Sequence, residues 1–229
     1  MDKFIINGGI KLSGTVKVSG AKNSSLALIP AALLNRDVNT FLNTPEVNDI
    51  FSMMKLLMSL GAEITFKDYK LTVNTSNIDK YVAPYDLVKK MRASVYVLGP
   101  LLAKYGYAKV SMPGGCAWGP RPINLHLEAM KKLGAEIELE SGYIIAKCEK
   151  LKGTKIHFDI SSVGATGNAL MAATLAKGTT IISNAATEPE ITILAQYLQN
   201  MGAKINGIGT HLLEIEGVDE LKGAETENI

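Results

Sequence analysis

Leu60-Gly61-Ala62-Glu63-Ile64 is repeated along this chain as Leu133-Gly134-Ala135-Glu136-Ile137 and again as Met201-Gly202-Ala203-Lys204-Ile205. The three glycines stand 73 and 68 residues apart, a period too long for a solenoid repeat and suited to a small α/β unit. Before the first copy, Ile50, Met53, Met54 and Leu57 follow the i, i+3, i+4, i+7 spacing of one helical face. Before the third, Ile193, Leu194, Tyr197, Leu198 and Met201 trace the same kind of face. Each glycine is expected to close its helix in the left-handed conformation, and a strand follows. Turn sequences come next, Lys67-Asp68-Tyr69-Lys70, Ser141-Gly142 and Asn206-Gly207-Ile208-Gly209. Every copy therefore predicts helix, strand, turn, strand.

Working back from each copy, a second kind of helix is expected over Ser24 to Leu34, Arg92 to Lys104 and Gly167 to Lys177. These segments are apolar nearly all round, as in Leu26-Ala27-Leu28-Ile29, the mark of a helix buried on every side. Pro30 and Pro100 fall inside two of them and should kink them. Short strands are expected after them, at Val38 to Leu42, Ala108 to Met112 and Thr179 to Ser183. The unit reads strand, buried helix, strand, amphipathic helix, strand, strand, three times over, at about residues 22–85, 86–157 and 158–220. The buried helices would pack together, with sheets and amphipathic helices outside. Met1 to Gly20 lies outside the scheme, although Leu12 to Ser19 alternates as a half-buried strand does. Lys222 to Ile229 is polar and predicts either a frayed tail or a cut at a boundary.

Composition narrows the function. At 229 residues and 47% apolar, the chain can bury a substantial core. A net charge of +2, from 24 basic and 22 acidic residues, gives no polyelectrolyte character and argues against a nucleic acid partner held by bulk charge. Two cysteines, Cys116 and Cys148, and three histidines, His126, His157 and His211, supply neither a disulfide framework nor a metal pattern. The longest apolar runs, such as Ala93 to Ala103, are too short to span a bilayer, and the N-terminus has no signal-peptide core. A soluble protein of the reducing cytoplasm is expected, with no membrane partner.

Two features invite chemistry. Ser111 to His126 holds three prolines and three glycines, which forbid a continuous helix and predict a loop. It carries Cys116, Trp118 and Arg121. A thiol near a guanidinium in such a loop suits a reactive thiolate, and equally a surface turn with an unpaired cysteine. The second feature is the start of each buried helix, Gly20-Ala21-Lys22-Asn23-Ser24, Lys89-Lys90-Met91-Arg92 and Ser161 to Gly167. If three units share a threefold arrangement, these starts lie on one face, where free N–H groups and positive dipole ends bind phosphate or carboxylate. Lys22 opposes the dipole, which favours a binding role over a structural one; Arg92 opposes it too, but its basic neighbourhood fits a surface coat equally well. Ser162-Val163-Gly164 also fits an ordinary cap, and Glu188-Pro189-Glu190 an ordinary helix start. His126, close to Arg121, could touch a phosphate; His157, His211 and Cys148 fit packed or edge positions.

Taken together, several of these stretches resemble the UDP-N-acetylglucosamine 1-carboxyvinyltransferase family: Ser19-Gly20-Ala21-Lys22-Asn23, Ala83 to Val88, Met91-Arg92-Ala93-Ser94, Pro113-Gly114-Gly115-Cys116, Arg121-Pro122, Ser162 to Thr166 and Glu188 to Ile191. They span nearly the whole chain in the family's order. The resemblance implies the enolpyruvyl transferase fold, an inside-out α/β barrel lobe of three βαβαββ repeats around buried parallel helices. It also implies transfer of the enolpyruvyl group of phosphoenolpyruvate to the 3-hydroxyl of UDP-N-acetylglucosamine with release of phosphate, without a cofactor or metal. By the same resemblance Lys22 and Asn23 would bind phosphoenolpyruvate. Arg92, Arg121, Pro122, Ile123, Asn124, Leu125, Ser162, Val163 and Gly164 would bind the UDP-sugar. Cys116 would donate the proton to the enol methylene, form a covalent adduct and be alkylated by fosfomycin, on a loop that closes as a lid. Asn124 stands where the family often has aspartate, and Ile160 where it often has lysine, which alters an acceptor and removes a cation. The family's second lobe is not in this sequence; Met1 to about Ala21 would normally pair with it, and this lobe alone is expected to be inactive. A sugar-nucleotide binding module without chemistry, and a purely structural α/β repeat, are the other readings of these residues.

Overall fold

The computed structural model describes residues 3–88, 91–112 and 123–229, apart from the side chain of Arg92. The first unit runs α1 (Lys22–Ala31), a 3-10 turn (Ala32–Leu34), β1 (Val38–Leu42), α2 (Asn48–Ser59), β2 (Glu63–Lys67) and β3 (Lys70–Asn74). The second has β4 (Val82–Ala83), α3 (Tyr85–Val88), a 3-10 segment (Arg92–Val97), α4 (Leu98–Tyr105), β5 (Tyr107–Ser111), α5 (Asn124–Lys132), β6 (Glu136–Glu140) and β7 (Tyr143–Lys147). The third has β8 (Lys155–His157), α6 (Val163–Ala173), β9 (Thr179–Ser183), α7 (Pro189–Asn200), β10 (Lys204–Asn206) and β11 (Leu212–Glu216), after which β12 (Glu225–Glu227) ends the series.

The strands form three four-stranded sheets of one design, β12-β1-β3-β2, β4-β5-β7-β6 and β8-β9-β11-β10. In each, the first pair is parallel, with Thr40 opposite Glu225, Val82 opposite Lys109 and Ile156 opposite Ile182. The remaining pairs are antiparallel. Glycines 61, 134 and 202 close the amphipathic helices at φ of 110°, 96° and 105°, as the repeat predicts. The turns at Asp68-Tyr69 and Ser141-Gly142 have positive φ at both central residues, the twist that joins two antiparallel strands directly.

The apolar helices are buried as expected. Every residue of α1 from Ser24 to Ala31 and of α6 from Ala165 to Ala173 is buried. They form one continuous core with α4 and the inner faces of the sheets. Proline changes the winding of the second helix. Pro100 has no N–H to give an α-turn, and the segment before it, Arg92–Val97, is wound as a 3-10 helix before α4 begins. Pro30 is followed within two residues by the 3-10 turn Ala32–Leu34.

Two expectations fail, and so does one of the two alternatives given for the tail. The third buried helix starts at Val163, four residues before Gly167, and ends at Ala173 rather than Lys177. Gly164 lies ahead of the expected helix, and both glycines are required by close neighbours: a Cβ on Gly164 would lie 2.9 Å from His126 Nε2, and one on Gly167 2.8 Å from the Tyr96 ring. Leu12 to Ser19 forms no strand; Leu12 is 92% and Val16 87% exposed, since alternation supplies a face but no hydrogen-bonding neighbour. The polar tail is not frayed. β12 lies parallel to β1 and provides the strand that the first unit lacks ahead of its helix, with Thr226 and Asn228 buried.

Candidate functional site

Three buried helices pointing the same way are what bring distant residues to one end of the molecule. α1 packs against the 3-10 segment Arg92–Val97, while the turn that continues α1 packs against α4, so the two helices run parallel. Tyr96 donates its hydroxyl to the carbonyl of Val163 at 3.4 Å, and Gly99 N–H donates to Asn168 Oδ1 at 2.7 Å, which sets α6 in the same direction. The starts of α1, the 3-10 segment and α6 therefore gather at one end, each with backbone N–H groups not used within its helix.

At the α1 start, Lys22 and Asn23 follow a closely packed turn. A Cβ on Gly20 would lie 2.1 Å from the carbonyl of Asn43, so only glycine fits. Asn228 anchors the turn from the chain's other end, its Nδ2 donating to Ala21 O at 3.0 Å and to Ser25 Oγ at 2.8 Å, and Ala21 N–H donates to Ile229 O. Lys22 Nζ pairs with Asp49 Oδ2 at 3.0 Å, and both side chains are partly exposed. The carboxylate explains how a cation is tolerated at a positive helix end, and the sequence did not mark it, because an aspartate in the first turn of α2 is ordinary. An open cleft of about 490 Å³ lies here, lined by Lys22, Asn23, Ser24, Pro189, Glu190 and Ile229. Ser24 Oγ is buried beside it without a hydrogen-bond partner. The acidic start of α7, read from sequence as structural, thus borders the cleft.

Around the second and third helix starts, Ile123 is buried just ahead of α5, Asn124 is its exposed first residue and Leu125 is half-buried. Ser162 caps α6 by accepting from Ala165 N–H at 3.3 Å, and Val163 and Gly164 are its half-buried first residues. His126 joins the two sets, since its ring lies against Gly164 and its Nδ1 is 3.1 Å from Asn168 Nδ2. Ile160, 74% exposed, offers no polar atom there. Cys116, Arg121 and Pro122 lie outside the described residues, as does the side chain of Arg92. Cys148 is half-buried, its thiol pushed up in pKa by burial, consistent with a packed residue.

Among the described residues no cluster of His, Cys, Asp and Glu could hold a metal ion, and no helix is long and apolar enough to cross a membrane.

Comparison with known proteins finds similarity to enolpyruvyl transferases. The UDP-N-acetylglucosamine 1-carboxyvinyltransferase of Chloroherpeton thalassium is 59% identical over 232 residues, covering 100% of this chain and 54% of that protein. The protein of that name from Thermodesulfovibrio yellowstonii is 55% identical over 97% of the chain and 53% of its own length. The chain thus spans about half the length of the curated relatives it matches. Among solved structures, the enolpyruvyl transferase NikO from Streptomyces tendae superposes with a TM-score of 0.85 at 25% identity, over 97% of this chain and 53% of that one. An EPSP synthase from Acinetobacter baumannii shares the fold, with a TM-score of 0.75 at 19% identity over 94% of this chain and 49% of its own. The family profile of EPSP synthase (3-phosphoshikimate 1-carboxyvinyltransferase) covers residues 6–227, and with three βαβαββ units whose buried parallel helices start at one end, the chain belongs to that family.

Proposed function

We propose that this chain is one lobe of a UDP-N-acetylglucosamine 1-carboxyvinyltransferase, which moves the enolpyruvyl group of phosphoenolpyruvate to the sugar 3-hydroxyl and releases phosphate. The observation that carries the reading is the gathering of three buried helix starts at one end, together with 55–59% identity to proteins of that name. Lys22 and Asn23 hold phosphoenolpyruvate at the start of α1, where the helix end and the ammonium favour its phosphate and carboxylate. Asp49 keeps Lys22 in place until the anion arrives. Arg92, Arg121, Pro122, Ile123, Asn124 and Leu125 take the uridine side of the sugar nucleotide. Ser162, Val163 and Gly164 present the amides of α6 to its diphosphate.

In the reaction, Cys116 gives its proton to the methylene carbon of phosphoenolpyruvate and C2 becomes electrophilic. The sugar 3-hydroxyl bonds to C2 and gives its proton to a carboxylate of the second lobe. The C2–O bond to phosphate then breaks as the Cys116 thiolate takes a proton back from the methyl group, leaving an enol ether as the product. Fixed cations and helix ends stabilise the charge of the anionic ligands and the departing phosphate. Fosfomycin would alkylate Cys116. A second lobe, absent from this sequence, would supply the remaining groups and pair with the exposed apolar segment that includes Phe4, Ile6, Leu12 and Val16. The product is a peptidoglycan precursor, and the reading places the protein in the cytoplasm with roles in cell shape and division.

The test mixes the chain with a separately expressed second lobe and measures phosphate release from phosphoenolpyruvate and UDP-N-acetylglucosamine. Turnover in the mixture, lost in Cys116→Ala, is expected, together with a mass increase on Cys116 after fosfomycin. Binding of the nucleotide with neither turnover nor modification of Cys116 would make the chain a binding module instead.

A further inference from the structure

Asn168 is fully buried in the middle of α6, and its carboxamide is shared among elements that each carry part of the sugar-nucleotide site. Its Oδ1 accepts from Gly99 N–H at 2.7 Å, and its Nδ2 donates to Val95 O at 2.8 Å. Those two backbone partners bracket the junction between the Arg92–Val97 segment and α4, and they settle the orientation of the amide. A backbone N–H needs an acceptor and a backbone carbonyl needs a donor, so the oxygen and nitrogen cannot be exchanged. The second hydrogen of Nδ2 then faces His126 Nδ1 at 3.1 Å, on α5.

That geometry decides a proton position. Nδ1 faces an N–H donor and must accept, so the imidazole carries its proton on Nε2. Nε2 and Cε1 are the ring atoms against Gly164, in the space a Cβ there would fill. Nε2 of His126 is thereby held over the first turn of α6, against Gly164. Proximity of the 3-10 segment, α5 and α6 follows from the fold; their fine register and the direction of this N–H follow from one amide.

We propose that Asn168 is the positioning residue of the sugar-nucleotide half of the site, locking the Arg92–Val97 segment, α5 and α6 together and fixing His126 as the tautomer that donates from Nε2 at the start of α6. The ligand part of this inference rests on the proposed function; the tautomer part does not.

Two measurements on the full chain test it. Long-range proton–nitrogen correlation spectra of 15N-histidine protein, at about pH 8 where an ordinary imidazole is neutral, give the tautomer of each histidine. His157→Gln and His211→Gln assign the His126 signals. Wild type is expected to show His126 protonated on Nε2 and bare on Nδ1; Asn168→Asp, which sets a carboxylate against Nδ1, is expected to move the proton to Nδ1. Calorimetry with UDP-N-acetylglucosamine is expected to show at least a tenfold weaker Kd for Asn168→Asp. A wild-type spectrum with the proton on Nδ1 overturns the proposal, and needs no variant to fold. Unchanged nucleotide affinity in a variant whose tautomer has switched also overturns it. If wild type binds no UDP-N-acetylglucosamine, the functional reading fails, while the spectrum still decides the tautomer.

Discussion

Tyr105 and Tyr197 place the same phenol in opposite circumstances. Tyr197 is fully buried, and its hydroxyl donates to Asn39 Oδ1 at 2.7 Å within a reciprocal amide pair of Asn35 and Asn39. The Tyr105 ring stacks on Tyr81 with centroids 4.8 Å apart, under the guanidinium of Arg36, but its buried hydroxyl has no hydrogen-bond partner. Burial pushes the Tyr105 pKa up to about 12 and raises that of Tyr197 further. Both shifts are upward, so their effect on stability is complete below the ordinary tyrosine value near 10 and is lost as pH rises above it, because the unfolded phenols ionise first. Urea denaturation should therefore show falling stability between pH ~10 and ~12. Tyr105→Phe should reduce that fall and add about 0.5–1 kcal/mol at pH 7, since it removes a hydroxyl that is desolvated without compensation. Tyr197→Phe should cost about 1 kcal/mol by deleting a buried bond. Neither assignment is visible in sequence, where both tyrosines sit near helix ends among apolar residues.

At the scale of elements, the repeated glycine separates conformation from crowding. Gly134 and Gly202 have positive φ and open space where a Cβ would be, whereas a Cβ on Gly61 would lie 2.6 Å from the carbonyl of Asn77. Gly134→Ala and Gly202→Ala should each cost about 1 kcal/mol, the left-handed penalty alone. Gly61→Ala should cost more, by about 1–3 kcal/mol, because backbone must move as well. Thermal denaturation of the three variants checks the order, and equal losses would show that the segment at Asn77 and Asp79 yields freely. The repeat was legible because each copy must solve the same local problem, ending a helix and turning into a strand. The start of α6 was not, because Gly164 is a poor helix former by itself and the contact with His126 that calls for glycine there is tertiary.

At the scale of the molecule, the chain's final residues complete its first sheet. β12 pairs with β1, Asn228 N–H donates to Leu42 O at 2.9 Å, and the Asn228 side chain ties Ala21 and Ser25 at the start of α1. Deleting residues 222–229 should cost about 2–4 kcal/mol and lower Tm by roughly 5–15 °C. It should also weaken phosphoenolpyruvate binding, because the turn carrying Lys22 loses its anchor. Deleting residues 1–16, of which 3–16 are described and exposed, should leave Tm within about 1 °C. Calorimetric scans of the two deletions make the comparison, and equal effects would remove the role given to β12.

What the sequence determined by itself was local and periodic: three units, their buried and amphipathic helices, their glycine stops and tight turns, and the lysine, cysteine and serine motifs that carry the family resemblance. Backbone preference and hydrophobic spacing act within a few residues, so they can be read in a line. Tertiary structure alone decided which strand fills the first sheet, that Lys22 meets Asp49, that Glu190 borders the Lys22 cleft, and that Asn168 reaches Val95, Gly99 and His126. Those contacts join residues up to about two hundred positions apart, and they exist because three helices share one core and one direction, which no local spacing encodes.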